Sequence, residues 1–321
     1  MRINICFASD NNYVPHMAAS IVSILKNANV DDELYFYILS NKIKQEYKNK
    51  LLELKKIKDF NIEYLDINED DFKNFPFPTE TKHITITTYF RYKISSILPN
   101  LDKIIYLDCD IIVKNSLNEL FKTNIENYSL GGVEDIGYIS LQKLKIAKYV
   151  FTGFYINAGV LLINLKKWRE DNIEDKLFEY TLNNKDIINI ADQDVINAVL
   201  KDNILALDYK WNVQDSFYRY KKQEVKGNIN SKKIIMASKN PAIIHYTFKV
   251  KPWNAVKMKR SFDWWYYNTF SPFLTDKKLS KYFLLYLLEF LKGIFSITIE
   301  NDFYRLRLIG MKFRLLPSGK N

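Results

Sequence analysis

Apolar positions along this chain fall into two periods that take turns. Short apolar or alternating runs occur at "INICFA" (Ile3–Ala8), "LYFYILS" (Leu34–Ser40) and "NIEYLDI" (Asn61–Ile67). Each is strand-length and rich in β-branched and aromatic residues, which predicts strands. Between them, Pro15–Asn27 and Lys42–Ile57 carry apolar residues at helical spacing. Thr87–Leu98 reads as a helix with Thr88 at its N-cap and Ile94, Ile97 and Leu98 on its buried face. It delivers the chain into "KIIYLDCDIIV" (Lys103–Val113), apolar enough for a strand covered on both faces. Further on come a core strand "NAGVLLINL" (Asn157–Leu165), a helix around Trp168–Asn183, a helix start "ADQDVINAVL" (Ala191–Leu200), and a strand and loop in "PAIIHYTFKVKPWN" (Pro241–Asn254). From Ala255 the texture turns aromatic, basic and largely helical. Strands alternating with helices predict parallel βαβ units in an open α/β sheet. Ligands of such sheets sit beyond the carboxyl ends of the strands. The loop Ser9–Tyr13 lies at one such end, and it lacks the G-x-G-x-x-G of a dinucleotide site. No internal repeat is apparent.

Asp108 and Asp110 interrupt the most apolar of these strands. Residues two apart on a strand project to one side, so both carboxylates point together and Cys109 points away. Like charges side by side and away from water are costly unless a cation or proton neutralises them. A strand end reaching solvent or an arginine answers this, and so does a divalent cation held by oxygen ligands. A phosphatase-type nucleophile and acid pair is a third reading, disfavoured by the position in the chain and by the following "IIV". His245 closes the run "AIIH" and is either a structural hydrogen-bonder or a ligand. A neutral imidazole beside two carboxylates would suit Mn²⁺ better than Mg²⁺. Lys251, a few residues on, would add a point charge beside an anionic ligand such as a diphosphate. Asp192 and Asp194 either cap a helix and favour its dipole or stand with Gln193 beside the metal. Asn157-Ala158-Gly159 would let the backbone approach a sugar closely.

Composition narrows the setting. The 321 residues are 47% hydrophobic, enough for one large α/β domain with an appendage and a sizeable core. The two cysteines, Cys6 and Cys109, sit in apolar strands, which suits buried thiols in a reducing cytosol. The start "MRINICFASD" turns polar too quickly for a signal peptide, and no uncharged apolar run reaches the ~18 residues of a spanning helix. Net charge is +10, but 12 Lys/Arg against 5 Asp/Glu lie from Ala255 onward, so the basicity belongs to the tail.

The order of these motifs resembles glycosyltransferase family 8, and especially its bacterial lipooligosaccharide and lipopolysaccharide galactosyl- and glucosyltransferases of the LgtC type. The resemblance rests on "FASDNNY", "HITITTYFRY", "IIYLDCDIIV", "YINAGVLLINLKKWR", "ADQDVIN" and "IHYTFKVKPW", in that order, from about Ile3 to Trp253. It implies a GT-A fold, Rossmann-like with a mostly parallel sheet flanked by helices. It implies transfer of a hexose, galactose or glucose, from a UDP-sugar with retention of anomeric configuration. Asp108, Asp110 and His245 match the family's manganese ligands, with Mg²⁺ as the substitute ion. Ala8, Asp10, Asn12 and Tyr13 match the nucleoside pocket, with Tyr13 placed to stack on uracil. Arg91 matches a donor-sugar contact and Lys251 the diphosphate contact. Asn157, Asp192 and Gln193 match the sugar-side cluster, with Gln193 opposite UDP as a weak nucleophile or an electrostatic support. His83 and Asp135 match acceptor-side positions. One residue departs: Phe248 stands where the family commonly has Gly, which puts the detail of the diphosphate contact in question.

The division expected is a catalytic domain over 1–254 and a basic, aromatic, helical tail over 255–321. Trp264, Trp265, Tyr266 and Tyr267 beside Lys and Arg are types favoured at a membrane interface. "KYFLLYLLEFLKGIF" (Lys281–Phe295) is strongly apolar, but Glu289 and Lys292 argue against spanning. The tail is therefore expected either to pack on the catalytic domain or to attach a cytoplasmic protein to the anionic inner face of the cytoplasmic membrane, near a lipid-linked saccharide acceptor. A sugar-nucleotide-binding relative with little transfer activity is the rival reading. A basic nucleic-acid binder is a remote one, because no nucleic-acid module is present.

Overall fold

The computed structural model describes residues 1–76, 85–137, 154–219, 229–255 and 258–274, and the backbone of three strands between 295 and 317. His83 and most of the apolar stretch Lys281–Phe295 lie outside the described residues.

The first half alternates as its periodicity predicts: β1 (Arg2–Ala8), α1 (Val14–Asn27), β2 (Glu33–Ser40), α2 (Gln45–Leu52) and β3 (Asn61–Asp66). A 3₁₀ segment (Ile86–Lys93) and α3 (Ile94–Ile97) lead into β4 (Lys103–Leu107) and β5 (Ile111–Val113). Then follow α4 (Asn118–Lys122), β6 (Leu130–Glu134), β7 (Ile156–Asn164), α5 (Leu165–Glu170), α6 (Ile173–Asn183), α7 (Ala191–Val199) and β8 (Ile204–Ala206). The chain continues through β9 (Val213–Gln214), α8 (Asp215–Arg219), α9 (Ile229–Lys239), β10 (Ile243–His245) and α10 (Ser261–Asn268).

Seven strands form the main sheet in the order β3-β2-β1-β4-β7-β6-β8. Only β7 runs against its neighbours β4 and β6; the other pairings are parallel. Central β1 is buried along Asn4–Phe7 between layers on both faces, which is why it reads as a continuous apolar run. The small sheet β5-β10-β9 stands beside it.

Small residues in α1 let it lie close against β5. The buried Ser20 hydroxyl is 2.9 Å from the Cys109 carbonyl and 2.8 Å from that of Ile111. The Ser23 hydroxyl accepts the Val113 amide at 2.9 Å. These bonds pin the turn that carries Asp108 and Asp110.

Four elements differ from their sequence pattern. Lys103–Val113 is two strands in two sheets, broken at Asp108–Asp110, because the carboxylates turn the chain out of the main sheet. Thr87–Leu98 is mostly 3₁₀, and Thr85 rather than Thr88 precedes it. The Thr88 hydroxyl is committed to Asp192 instead of capping, and its carbonyl accepts from Arg91 at 2.9 Å. The helix around Trp168–Asn183 is two helices, split where Asn172 takes a left-handed φ of 51°. Lys42–Ile57 yields α2 and a 3₁₀ turn, Glu53–Lys56.

The tail differs more. Its first part is helical, as α10, but Trp264, Trp265 and Tyr267 are buried in the main core. Tyr267 accepts a hydrogen bond from Asn27 at 2.8 Å, and Asp263 pairs with Lys114 at 2.5 Å. The boundary read after Asn254 therefore falls before a helix that packs on α1. Only Tyr266 of the four expected interfacial aromatics is exposed, joined by Phe262 and Phe270 at one-turn spacing. Among the described residues beyond Ile294 the chain forms not a helix but an antiparallel sheet, β11 (Phe295–Glu300), β12 (Phe303–Leu308) and β13 (Met311–Pro317). The period-two alternation of "YRLRL" and "MKFRLL" fits that outcome better than a helix.

Candidate active site

The turn after β4 is held from two sides. The Asp108 amide donates to the Gly159 carbonyl on β7 at 2.8 Å, and the Asp110 carbonyl accepts the Tyr246 amide at 3.1 Å. Strand β10 pairs antiparallel with β5, setting His245 opposite Ile111, next to Asp110. One oxygen each of Asp108 and Asp110 and a ring nitrogen of His245 then lie within 4.8 Å of one another. His245 Nε2 is 3.6 Å from Asp108 Oδ2 and 3.3 Å from Asp110 Oδ1. Gly159 permits this approach: a Cβ there would lie 2.1 Å from His245 Cε1 and 2.6 Å from Asp108 Oδ2.

Charge is balanced locally. Lys251, buried, places Nζ 2.6 Å from Asp110 Oδ2 and donates to the Tyr246 carbonyl at 2.5 Å. Burial would raise the Asp110 pKa, but Lys251 and His245 outweigh it and hold the carboxyl well below the usual range. Burial would lower that of His245, and its contacts with Asp110 and Asp108 raise it instead. Two carboxylates and an imidazole, converging where no Cβ intrudes, fit a divalent cation.

Arg91 ties this cluster to its neighbour. The guanidinium is buried, 3.0 Å from Asp108 on one side and 3.0 Å from Asp192 on the other, with its Cζ 4.1 Å from the centre of the Tyr106 ring. It also donates to the Ala158 carbonyl. Asp192 does not cap α7: Ile190 holds that position, and Asp192 is buried against Arg91 and Thr88. Burial pushes its carboxyl up to about 6, against the pull of Arg91 and the Thr88 hydrogen bond. Asp194 accepts the amides of Asn189 at 2.6 Å and Ile190 at 2.7 Å and the Tyr155 hydroxyl at 2.6 Å. Those bonds hold the turn where Ala191 adopts φ 40°, a conformation costing a non-glycine residue about 1–2 kcal/mol.

A buried amide cluster completes the floor. Gln193 Oε1 accepts from the Ala158 amide and from Asn157 Nδ2, each at 3.1 Å, while its Nε2 donates to Asp135 at 3.0 Å. Asp135 thus stands against Gln193 in the same cleft. Ala8 and Tyr13 line the same cleft, of about 380 Å³. The Tyr13 ring is braced edge-on by Trp253 at 6.2 Å. Asp10 and Asn12 stand just outside: Asp10 Oδ1 accepts the Asn12 and Tyr13 amides, each at 2.9 Å, shaping the loop. Phe248 lines the cleft with no left-handed backbone; its amide donates to the buried Asp215 at 3.1 Å, and Arg219 lies 4.0 Å over its ring. The site therefore accommodates Phe at this position without backbone strain.

Sequence reasoning missed Asn212, Thr88, Tyr155 and Asp215. Each acts through a neighbour that the chain brings from far away, and no local spacing announces them.

A family model described as "Glycosyl transferase family 8" matches residues 4–257. Lipopolysaccharide 1,2-glucosyltransferase of Escherichia coli K12 is 28% identical over 255 residues, 78% of this chain and 73% of that protein. Lipopolysaccharide 1,3-galactosyltransferase of Salmonella typhimurium is 28% identical over 260 residues, 79% of this chain and 74% of that protein. Among solved structures, galactosyltransferase LgtC in complex with donor and acceptor sugar analogues has a TM-score of 0.75 and 28% identity, covering 88% of this chain and 100% of LgtC.

Proposed function

The chain belongs to glycosyltransferase family 8, with the GT-A fold, and on that premise we propose that it moves galactose or glucose from a UDP-sugar onto a saccharide acceptor with retention. The acceptor proposed is a lipid-linked saccharide of lipopolysaccharide or another cell-surface glycan; lipopolysaccharide is the substrate named for the two bacterial relatives. The observation that carries the reading is the convergence of Asp108, Asp110 and His245 within 4.8 Å, in a cleft shared with Arg91, Asp192 and Gln193.

Asp108, Asp110 and His245 would hold Mn²⁺, or Mg²⁺ in its place, and the bound ion would supply Lewis-acid stabilisation of charge on a leaving diphosphate. Lys251 brings a fixed cation to the same corner. Tyr13, braced by Trp253, presents a ring face for a uracil. Asp192 and Asp135 place carboxylate charge near a sugar that turns oxocarbenium-like as its bond breaks. Gln193 Oε1 already accepts two hydrogen bonds, which lowers its nucleophilicity and favours its role as electrostatic support.

A peripheral position at the inner face of the cytoplasmic membrane belongs to the same proposal. Among the described residues no helix is long and apolar enough to cross a membrane. Phe262 and Tyr266 on α10 and Phe270 just beyond it form an exposed aromatic stripe. The β12–β13 register sets Arg305 opposite Arg314 and Arg307 opposite Lys312. From Ala255 onward the chain carries 12 Lys/Arg against 5 Asp/Glu, a charge that an anionic surface would attract.

Incubation with a panel of UDP-sugars and Mn²⁺, with and without saccharide acceptors, tests the reading. It predicts acceptor-stimulated release of UDP from the galactose or glucose donor and an α-linked product by NMR. Binding of UDP-sugar without release in any combination would favour the sugar-nucleotide binder instead.

A further inference from the structure

We infer that Asn212 is a positioning residue that aims His245 at the cation site and couples it to the amides around Gln193; this rests on the reading of the cleft given above. Asn212 ends the 3₁₀ turn Tyr209–Trp211 and precedes β9, which runs parallel to β10. Its side chain is wholly buried, so its amide must find partners within the protein. It has two. Oδ1 lies 3.0 Å from Nδ1 of His245, and Nδ2 donates to Asn157 Oδ1 at 2.9 Å.

The direction of each bond follows from two backbone amides, which can only donate. The Gly159 amide is 3.1 Å from the side chain of Asn157, so that atom is the oxygen. The Ala158 amide is 3.1 Å from the side chain of Gln193, so that atom is an oxygen too. Asn157 must then turn its NH₂ toward Gln193 Oε1, at 3.1 Å. Asn212 must meet the Asn157 oxygen with its own NH₂, which leaves its Oδ1 facing His245. An amide oxygen only accepts, so the imidazole carries a hydrogen on Nδ1. Nε2, the nitrogen 3.3 Å from Asp110 and 3.6 Å from Asp108, is the one aimed at a cation. The polarised series His245–Asn212–Asn157–Gln193 ends on the Asp135 carboxylate, 3.0 Å from Gln193 Nε2.

Three variants separate the two halves of this role. Asn212→Leu keeps the branched shape and removes both bonds, and Asn212→Ala removes them without adding apolar bulk. Asn212→Asp retains an oxygen for Nδ1–H and replaces the NH₂ that meets Asn157. Mn²⁺ is titrated by calorimetry into each protein with and without UDP, with thermal unfolding measured alongside, and kcat is measured with the best donor. The expected result is an affinity loss of about 10–100-fold in folded Asn212→Leu and Asn212→Ala. Asn212→Asp keeps wild-type Mn²⁺ affinity but has a lower kcat. Wild-type affinity in Asn212→Leu or Asn212→Ala overturns the inference. So does an equal loss in Asn212→Asp, which indicates packing alone. Wild-type protein that binds no Mn²⁺ in any titration overturns the reading of the cleft, and the inference with it.

Discussion

Gln193 shows how a residue can be essential to a cleft without reacting in it. Its oxygen satisfies a backbone amide and Asn157, and its nitrogen reaches Asp135. Gln193→Ala leaves buried donors unpaired, at about 1–3 kcal/mol of stability. Because its support matters most as charge develops, kcat should fall about tenfold or more while donor KM changes little. Unchanged kcat with much weaker donor binding would place the residue elsewhere. Asp215 carries a different signature. Burial raises its carboxyl from 3.8 to about 6, despite the Phe248 amide, His245 and Lys251. Protonation therefore favours the folded state: this stability is fully present below about 3.8 and is lost as pH rises through about 6. At about 1.4 kcal/mol per pKa unit the loss is at most about 3 kcal/mol. Asp215→Asn can still accept the Phe248 amide and escapes that loss. Its stability relative to wild type, read from urea midpoints, should climb between pH 4 and 6 and then level; a flat difference would contradict the assignment. Residue types made Asp108, Asp110 and His245 legible in the sequence, since paired carboxylates in an apolar run demand a counter-charge. Asn212 and Asp215 were not legible, because their meaning depends on partners that only folding supplies.

At the level of elements, the site is a meeting of three backbones: the turn after β4, the middle of β7 and the end of β10. The closest contact is at Gly159, whose missing Cβ makes room for both His245 and Asp108. Gly159→Ala should force those two side chains apart, costing about 1–3 kcal/mol and weakening Mn²⁺ binding although no ligand is changed. Calorimetry and thermal unfolding report the two effects separately, and an alanine variant with wild-type Mn²⁺ affinity would show the approach to be looser than drawn. The alternating strand and helix periods revealed the main sheet because burial on one or two faces writes itself into sequence. They did not reveal that Lys103–Val113 changes sheets at Asp108–Asp110. Apolar runs on the two sides of a break look the same as one strand. The 3₁₀ character of Ile86–Lys93 was hidden for a related reason: Arg91 and Thr88 there serve Asp192 and Asp108, not the helix.

At the scale of the whole molecule, the first part of the basic tail belongs to the catalytic core. Helix α10 buries Trp264, Trp265 and Tyr267 against the core, so a chain cut after Asn254 would expose that surface. A chain ending at Leu274 keeps it. That chain should fold, retain UDP-sugar turnover with a soluble acceptor, and bind anionic vesicles more weakly than the full chain, since it keeps the exposed Phe262, Tyr266 and Phe270 but loses the basic residues beyond them. Full-length protein that ignores such vesicles at low salt would assign the tail a structural role. Composition located the charge in the tail, but could not say which aromatics face inward, since Trp and Tyr suit both a core and an interface. Hexose transfer should depend on a cation held by the Asp108–Asp110–His245 cluster. UDP release from the preferred donor, measured with Mn²⁺, with chelator, and with Asp110→Asn in Mn²⁺, tests it most directly. Turnover in Mn²⁺ should be abolished by chelator and lowered at least about 100-fold in Asp110→Asn without unfolding the chain; undiminished turnover in chelator, or in Asp110→Asn, would mean that transfer does not depend on a cation held there.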